Sequence, residues 1–131
     1  FFNEQGVSID SHLYVQHALL GAKILEDEGI DDRIVQMVCS HVLMGLSKQE
    51  IIDHNIPLPE NDYTTDSLEG ELLCYADRFH SKHPVFNDYN NFRDNLEARL
   101  PLQAKKFEAS AKRFGVPDIP KLSKIHGHPV R

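Results

Sequence analysis

Two apolar stripes at helical spacing each carry a histidine where packing alone asks for a hydrocarbon side chain. Leu13, His17, Leu20 and Ile24 recur at steps of three and four residues, and so do Ile34, Val38 and His41. That is the period of a helix buried along one face. No stretch of useful length alternates as a half-buried strand does, so the chain is confined to helix-on-helix packing, an all-α fold.

Local signals place the elements. Asp10 or Ser11 can cap a first helix reaching about Glu28, with Gly29 as its terminator. Asp31 caps a second helix that Gly45 ends, and Ser47 with Glu50 forms a capping box for a short third helix through about Asn55. Ile56-Pro57-Leu58-Pro59 then forces an extended stretch, since each proline disfavours helix in the residue before it. A mobile loop over 56–66 is expected there. Asp66 and Glu69 open a helix through Leu68, Leu72, Leu73, Ala76 and Phe79 to about Lys82, stopped by His83-Pro84. Another covers roughly Asp88 to Leu100, and Pro101, suited to a first helical turn, begins one ending near Phe114-Gly115. The resulting division is a helical domain over 1–115 and an irregular tail with one short helical turn over 116–131.

Composition narrows the setting. A chain of 131 residues with 40% hydrophobic and 26% charged side chains forms one domain with a real core. Its net charge of −6 repels phosphate backbones, so no binding to long nucleic acid is expected. No apolar run approaches the ~18 residues of a membrane span. Cys39 and Cys74 lie in apolar runs and read as buried free thiols, which places the chain in the reducing cytoplasm. The chain opens Phe-Phe-Asn-Glu without methionine, so further residues upstream are expected.

The chemistry-bearing candidates are His17, His41 and Asp77. Imidazole and carboxylate hold hard or borderline divalent metals. The competing account is structural: each histidine satisfied by a carbonyl or carboxylate in the core, and Asp77 paired with Arg78, Lys82 or another cation. Arg78, His80, Lys82 and His83 cluster at a helix end, where such donors can hold a phosphate oxygen or the last carbonyls. His12, His54, His126 and His128 read as surface or tail residues.

In combination these segments resemble the HD-domain metal-dependent phosphohydrolase superfamily, in particular its small stand-alone bacterial and archaeal members. The likeness rests on HALLGAKILEDEGI, SHVLMGLSKQEII and NIPLPENDYTTDSLEGELLCYADRFHSK, about residues 12–83. It implies an HD-like bundle of about five to seven helices around one or two divalent ions, Mn²⁺, Fe²⁺, Ni²⁺, Zn²⁺ or Mg²⁺. Asp77 would be the final aspartate ligand, and His17 and His41 the histidines of a second ion. The superfamily's His-Asp dyad is not in this chain and is expected upstream. Lys82 would neutralise charge developing on phosphorus while metal-bound hydroxide attacks. The implied activity is hydrolysis of a small phosphorylated substrate, a nucleotide or similar ester, with monomer or homodimer left open. The rival readings are an inactive HD-like module that binds a nucleotide or protein partner, and a purely structural helical protein.

Overall fold

The computed structural model describes residues 13–80 and 83–131. Among them the chain is all-α, with no strand and seven α-helices: α1 His17–Asp27, α2 Asp32–Ser40, α3 Lys48–Asp53, α4 Leu68–Ala76, α5 Tyr89–Arg99, α6 Pro101–Phe114 and α7 Ile119–His126. No helix among the described residues is long and apolar enough to cross a membrane. The chain divides into two compact units, Phe1–Gly70 and Glu71–Arg131.

In the N-terminal unit a 3₁₀ turn, Leu13–Gln16, leads into α1, which packs on α2. The first-helix caps expected at Asp10 or Ser11 lie outside the described residues. Asp31 caps α2 as expected, its carboxylate accepting from the Arg33 amide at 2.9 Å. The buried face of α1 differs from the expected stripe. Ala18 and Ala22 are buried, whereas Leu20 and Ile24 are 50% and 62% exposed. Small side chains let α1 approach α2 closely, and a Cβ on Gly21 would stand 3.4 Å from Val38 Cγ1. Ala18 joins the core cluster of Val42, Leu46, Ile51, Leu58 and Tyr63.

α2 stops at Ser40, earlier than expected, because Leu43, Met44 and Gly45 all take positive φ. The Gly45 amide closes the turn on Val42 O at 2.8 Å, and a Cβ on Gly45 would crowd Tyr63 O at 3.2 Å. Leu46 and Tyr63 can then exchange both backbone hydrogen bonds, at 2.9 and 2.7 Å. The capping box of α3 is present: Ser47 Oγ accepts from the Glu50 amide and Glu50 Oε2 accepts from the Ser47 amide. The segment expected to be a mobile loop is tied down. Leu58 and Tyr63 are buried with Val42, Leu46 and Ile51, the Tyr63 hydroxyl donates to Pro59 O, and Gln16 donates to Pro57 O.

The C-terminal unit is organised around Phe107 of α6, which is 0% exposed. Its ring meets those of Tyr75, Phe79, Tyr89 and Phe92 at centroid distances of 5.2 to 5.6 Å. Asp88 caps α5, and Pro101 stands in the first turn of α6, where its missing N–H is harmless. α4 is capped by Ser67 rather than Asp66, with Ser67 Oγ accepting from the Gly70 amide at 3.0 Å. Gly70 has to be glycine, because a Cβ there would fall 2.3 Å from Thr65 Oγ1. Glu71 ties α4 to α6, accepting from Ser110 Oγ and Arg113 Nη1. The chain beyond α7 returns along residues 86–88. Phe86 N donates to Pro129 O, Arg131 N to Phe86 O, and Asp88 N to Arg131 O.

Tyr75 reports on this core through pH. Burial, helped by nearby Tyr89, pushes its phenol up to about 12, and its hydroxyl donates to Gly115 O at 2.9 Å. The unfolded phenol ionises near 10. Stability is therefore fully present below pH 10 and falls between pH 10 and 12 by about 1.4 kcal/mol per pH unit. Tyr75→Phe is expected to flatten that segment of a stability-against-pH curve measured by urea denaturation. An unchanged slope in the variant would assign the alkaline loss to other groups.

Candidate functional site

The two histidines of the opening stripes do meet. His17 begins α1 and His41 follows the last residue of α2, and their Nε2 atoms lie 2.9 Å apart with rings nearly perpendicular. Each Nδ1 faces a carbonyl oxygen, Tyr14 O at 2.6 Å for His17 and Val38 O at 2.5 Å for His41. The two Nε2 atoms are within hydrogen-bonding distance, and which of them donates follows from the tautomer of each ring. The Tyr14 ring stacks on His17 at 4.4 Å and shields one side.

Asp77 belongs to the other unit. It lies just beyond the C-terminus of α4, in a closing turn where the Asp77 amide donates to Leu73 O, the Arg78 amide to Tyr75 O and the Phe79 amide to Ala76 O. Asn87 Nδ2 donates to Arg78 O at 2.6 Å and its amide to Phe79 O at 2.8 Å. The carboxylate of Asp77 accepts from Arg78 Nη2, which is the ion pair offered by the structural account. Lys82 lies outside the described residues, as does Ser81. His80 Nε2 and His128 Nδ1 are hydrogen-bonded at 2.8 Å with stacked rings, so His128 is not a free tail residue. His83 is exposed. Cys39 and Cys74 are free thiols, both pushed up by burial, with Arg78 partly offsetting the rise at Cys74.

Concave regions among the described residues of the C-terminal unit include the following three. An apolar groove of about 330 Å³ runs between Tyr75, Phe79, Phe86, Phe114 and Leu122. A polar groove of about 510 Å³ is lined by Asn87, Asn91, Phe92, Asp94, Asn95 and Arg131. A cleft of about 150 Å³ holds Asp77, Arg78 and His83 and shares Asn87, Phe92 and Arg131 with the polar groove. Sequence reasoning missed Asn87, Asn91, Phe92 and Arg131. The available signal was the charge of each half. Residues 1–70 carry 13 acidic and 3 basic side chains, a net of −10, whereas residues 71–131 carry 7 acidic and 11 basic, a net of +4.

Among the described residues, no group of three or more His, Cys, Asp or Glu side chains is placed to hold a metal ion. The pieces of the phosphohydrolase likeness have structural explanations here. Gly21 lies against Val38, Gly45 takes a left-handed turn, the Pro-Leu-Pro stretch delivers Leu58 to the core, and Asp77 pairs with Arg78.

No family model matches the chain, and no solved structure matches it. Known proteins do match it, among them the following three. The chain is 34% identical over 73 residues to a tRNA (cytidine(56)-2'-O)-methyltransferase of Picrophilus torridus, covering 56% of this chain and 21% of that protein. It is 36% identical over 63 residues to the tRNA (cytidine(56)-2'-O)-methyltransferase of Thermoplasma volcanium, covering 48% of this chain and 18% of that one. It is 32% identical over 63 residues to an uncharacterized protein of Methanocaldococcus jannaschii, of which the match covers 36%. The chain thus spans about a fifth of the length of the methyltransferases it matches.

These relatives overturn the expectation of an HD phosphohydrolase, and with it the expected hydrolase activity and the inactive nucleotide-binding or protein-binding module. The divalent ion falls with that chemistry. The expected small phosphorylated substrate and the exclusion of long nucleic acid fall too, since both methyltransferases are named for tRNA. A net charge of −6 averages two halves of opposite sign and so says little about either one.

Proposed function

We propose that this chain serves ribose 2′-O-methylation of tRNA as a helical module that holds the RNA through its C-terminal unit. The observation that carries this reading is the 34–36% identity to two proteins named as tRNA 2′-O-methyltransferases. Charge supports it. RNA affinity comes first from cations that displace counterions along the phosphate backbone. In the C-terminal unit Lys105 and Lys112 are exposed seven residues apart on one face of α6, and Lys121 and Lys124 are exposed on α7. Aromatic and amide side chains in the grooves nearby are the groups that read unpaired RNA. Work on tRNA fits a cytoplasmic protein.

Methylation of a ribose hydroxyl needs an electrophilic methyl donor, for which S-adenosylmethionine is the natural class. The donor does not fit the apolar groove, which has no carboxylate in its lining to receive an adenosyl ribose. The donor is therefore not assigned to residues of this chain, and the module's part is to bind and orient the RNA.

The test is fluorescence anisotropy with a labelled tRNA transcript over a salt series. The expected result is saturable binding whose logarithm falls linearly with the logarithm of salt. A chain that leaves tRNA anisotropy unchanged at low salt removes the proposal.

A further inference from the structure

Building on the tRNA-holding role, we infer that the joined polar groove and cleft of the C-terminal unit form a seat for one unpaired nucleotide of RNA. The polar groove and the cleft are continuous through Asn87, Phe92 and Arg131. The larger compartment, about 510 Å³, lies within the roughly 300–1,000 Å³ of ordinary ligand sites.

The lining offers what an extruded nucleotide needs. Asn91 and Asn95 stand one turn apart on α5, so their amides share a face and offer both donors and acceptors to a base edge or a ribose hydroxyl. Asn95 already donates to Asn91 O at 2.7 Å, which fixes its orientation. Phe92 supplies a ring beside them, as stacking of an unpaired base requires.

The anion end is also built. Arg131 lines both compartments and is oriented by its Nε bond to Asn87 Oδ1 at 2.7 Å. Asn87 is itself buried and anchored to Arg78 O, so the guanidinium is held against a fixed support. Arg78 and His83 line the cleft beyond. The two carboxylates of the lining are matched by neighbouring arginines, Asp77 by Arg78 and Asp94 by Arg93 at 2.6 Å. Arg131 therefore dominates the field that a phosphate would meet at the junction.

A base-paired nucleotide keeps its edge and faces engaged and cannot enter such a recess. The seat is thus specific for loops, bulges and single-stranded ends, the parts of a folded RNA whose bases can be splayed out.

The experiment uses the whole chain and three labelled probes: a tRNA transcript, a short oligouridylate, and a blunt RNA duplex of the same length. Arg131→Gln removes the charge but can still donate to Asn87. Asn91→Asp is nearly isosteric and places a carboxylate in the first turn of α5, where it does not weaken the helix. Each variant is expected to bind oligouridylate and tRNA about tenfold more weakly and duplex within twofold of the parent. Unchanged oligouridylate binding in both variants, with tRNA binding intact, overturns the nucleotide seat and leaves the tRNA-holding role standing. Equal losses on duplex and oligouridylate overturn it as well, since they mark a general electrostatic effect. A parent chain that binds none of the probes overturns the tRNA-holding role, and the seat with it.

Discussion

Phe107→Ala is expected to destabilise the C-terminal unit by about 3–5 kcal/mol, the largest single-residue effect in the molecule. The side chain is wholly shielded from solvent, and four aromatic rings surround it. Removing it forfeits the transfer energy of the ring and leaves a cavity that rigid aromatic neighbours cannot collapse to fill. A domain of this size is stable by about 5–15 kcal/mol in total, so the loss is a large fraction of the whole. Urea denaturation measures the size of the change, and amide hydrogen exchange places it in α4 to α7. Phe107→Leu, which keeps most of the apolar volume, is expected to lose much less. A loss below about 1 kcal/mol for the alanine variant would mean that this ring cluster is not the organising core.

How much of this architecture could be read from the residues depends on how locally each feature is determined. Asp31, the Ser47–Glu50 box, Asp88, Pro101 and Gly115 mark element ends as expected, because a cap is settled by atoms within three or four residues. The end of α4 was not legible. After Ala76 the Arg78 and Phe79 amides reach back only three residues, to Tyr75 O and Ala76 O, and Asn87 of a later segment holds Arg78 O and Phe79 O. The face of α1 was misjudged for a related reason. Periodicity reveals that a stripe exists, but the buried positions are Ala22 and Ala18, which joins the core of Val42, Leu46, Ile51, Leu58 and Tyr63, while Leu20 and Ile24 are exposed.

The candidate site shows the same division. The meeting of His17 and His41 followed from two histidines at matching stripe positions on consecutive helices, and the imidazoles are in hydrogen-bonding contact. What they do was not legible from position, because an inward histidine satisfied by a carbonyl and one that binds a ligand leave the same trace in sequence. The family likeness misled in a similar way. Glycine at a tight turn, proline in an extended connection and aspartate beside arginine are requirements of a helical fold before they are signs of any reaction. The contrast between the two halves was hidden by averaging. An acidic half and a basic half cancel in the total, although partners meet local fields, not net charge.

Reversing the charge of Lys105 and Lys112 together to glutamate is the most direct test of that local field. The two substitutions take the C-terminal unit from a net of +4 to neutral. If both lysines contact phosphates, tRNA affinity should fall by well over tenfold, and the log–log salt slope should flatten by about two. Both side chains are exposed, so the core is untouched. Some helix stability is still lost. Glutamate at 112 sits one turn from Glu108 and near the negative end of the helix dipole, a penalty of about 0.5–1.5 kcal/mol. Lys105→Gln with Lys112→Gln avoids that penalty and is expected to show the same slope change with a smaller affinity loss. A charge change in the acidic half, +2 against −4 for the double reversal, separates local contact from overall charge. Glu26→Lys adds positive charge on an exposed position of α1 and is expected to leave tRNA affinity within twofold. Equal sensitivity to Glu26→Lys and to the lysine reversals would mean that tRNA responds only to net charge. The RNA-facing surface would then not lie on α6.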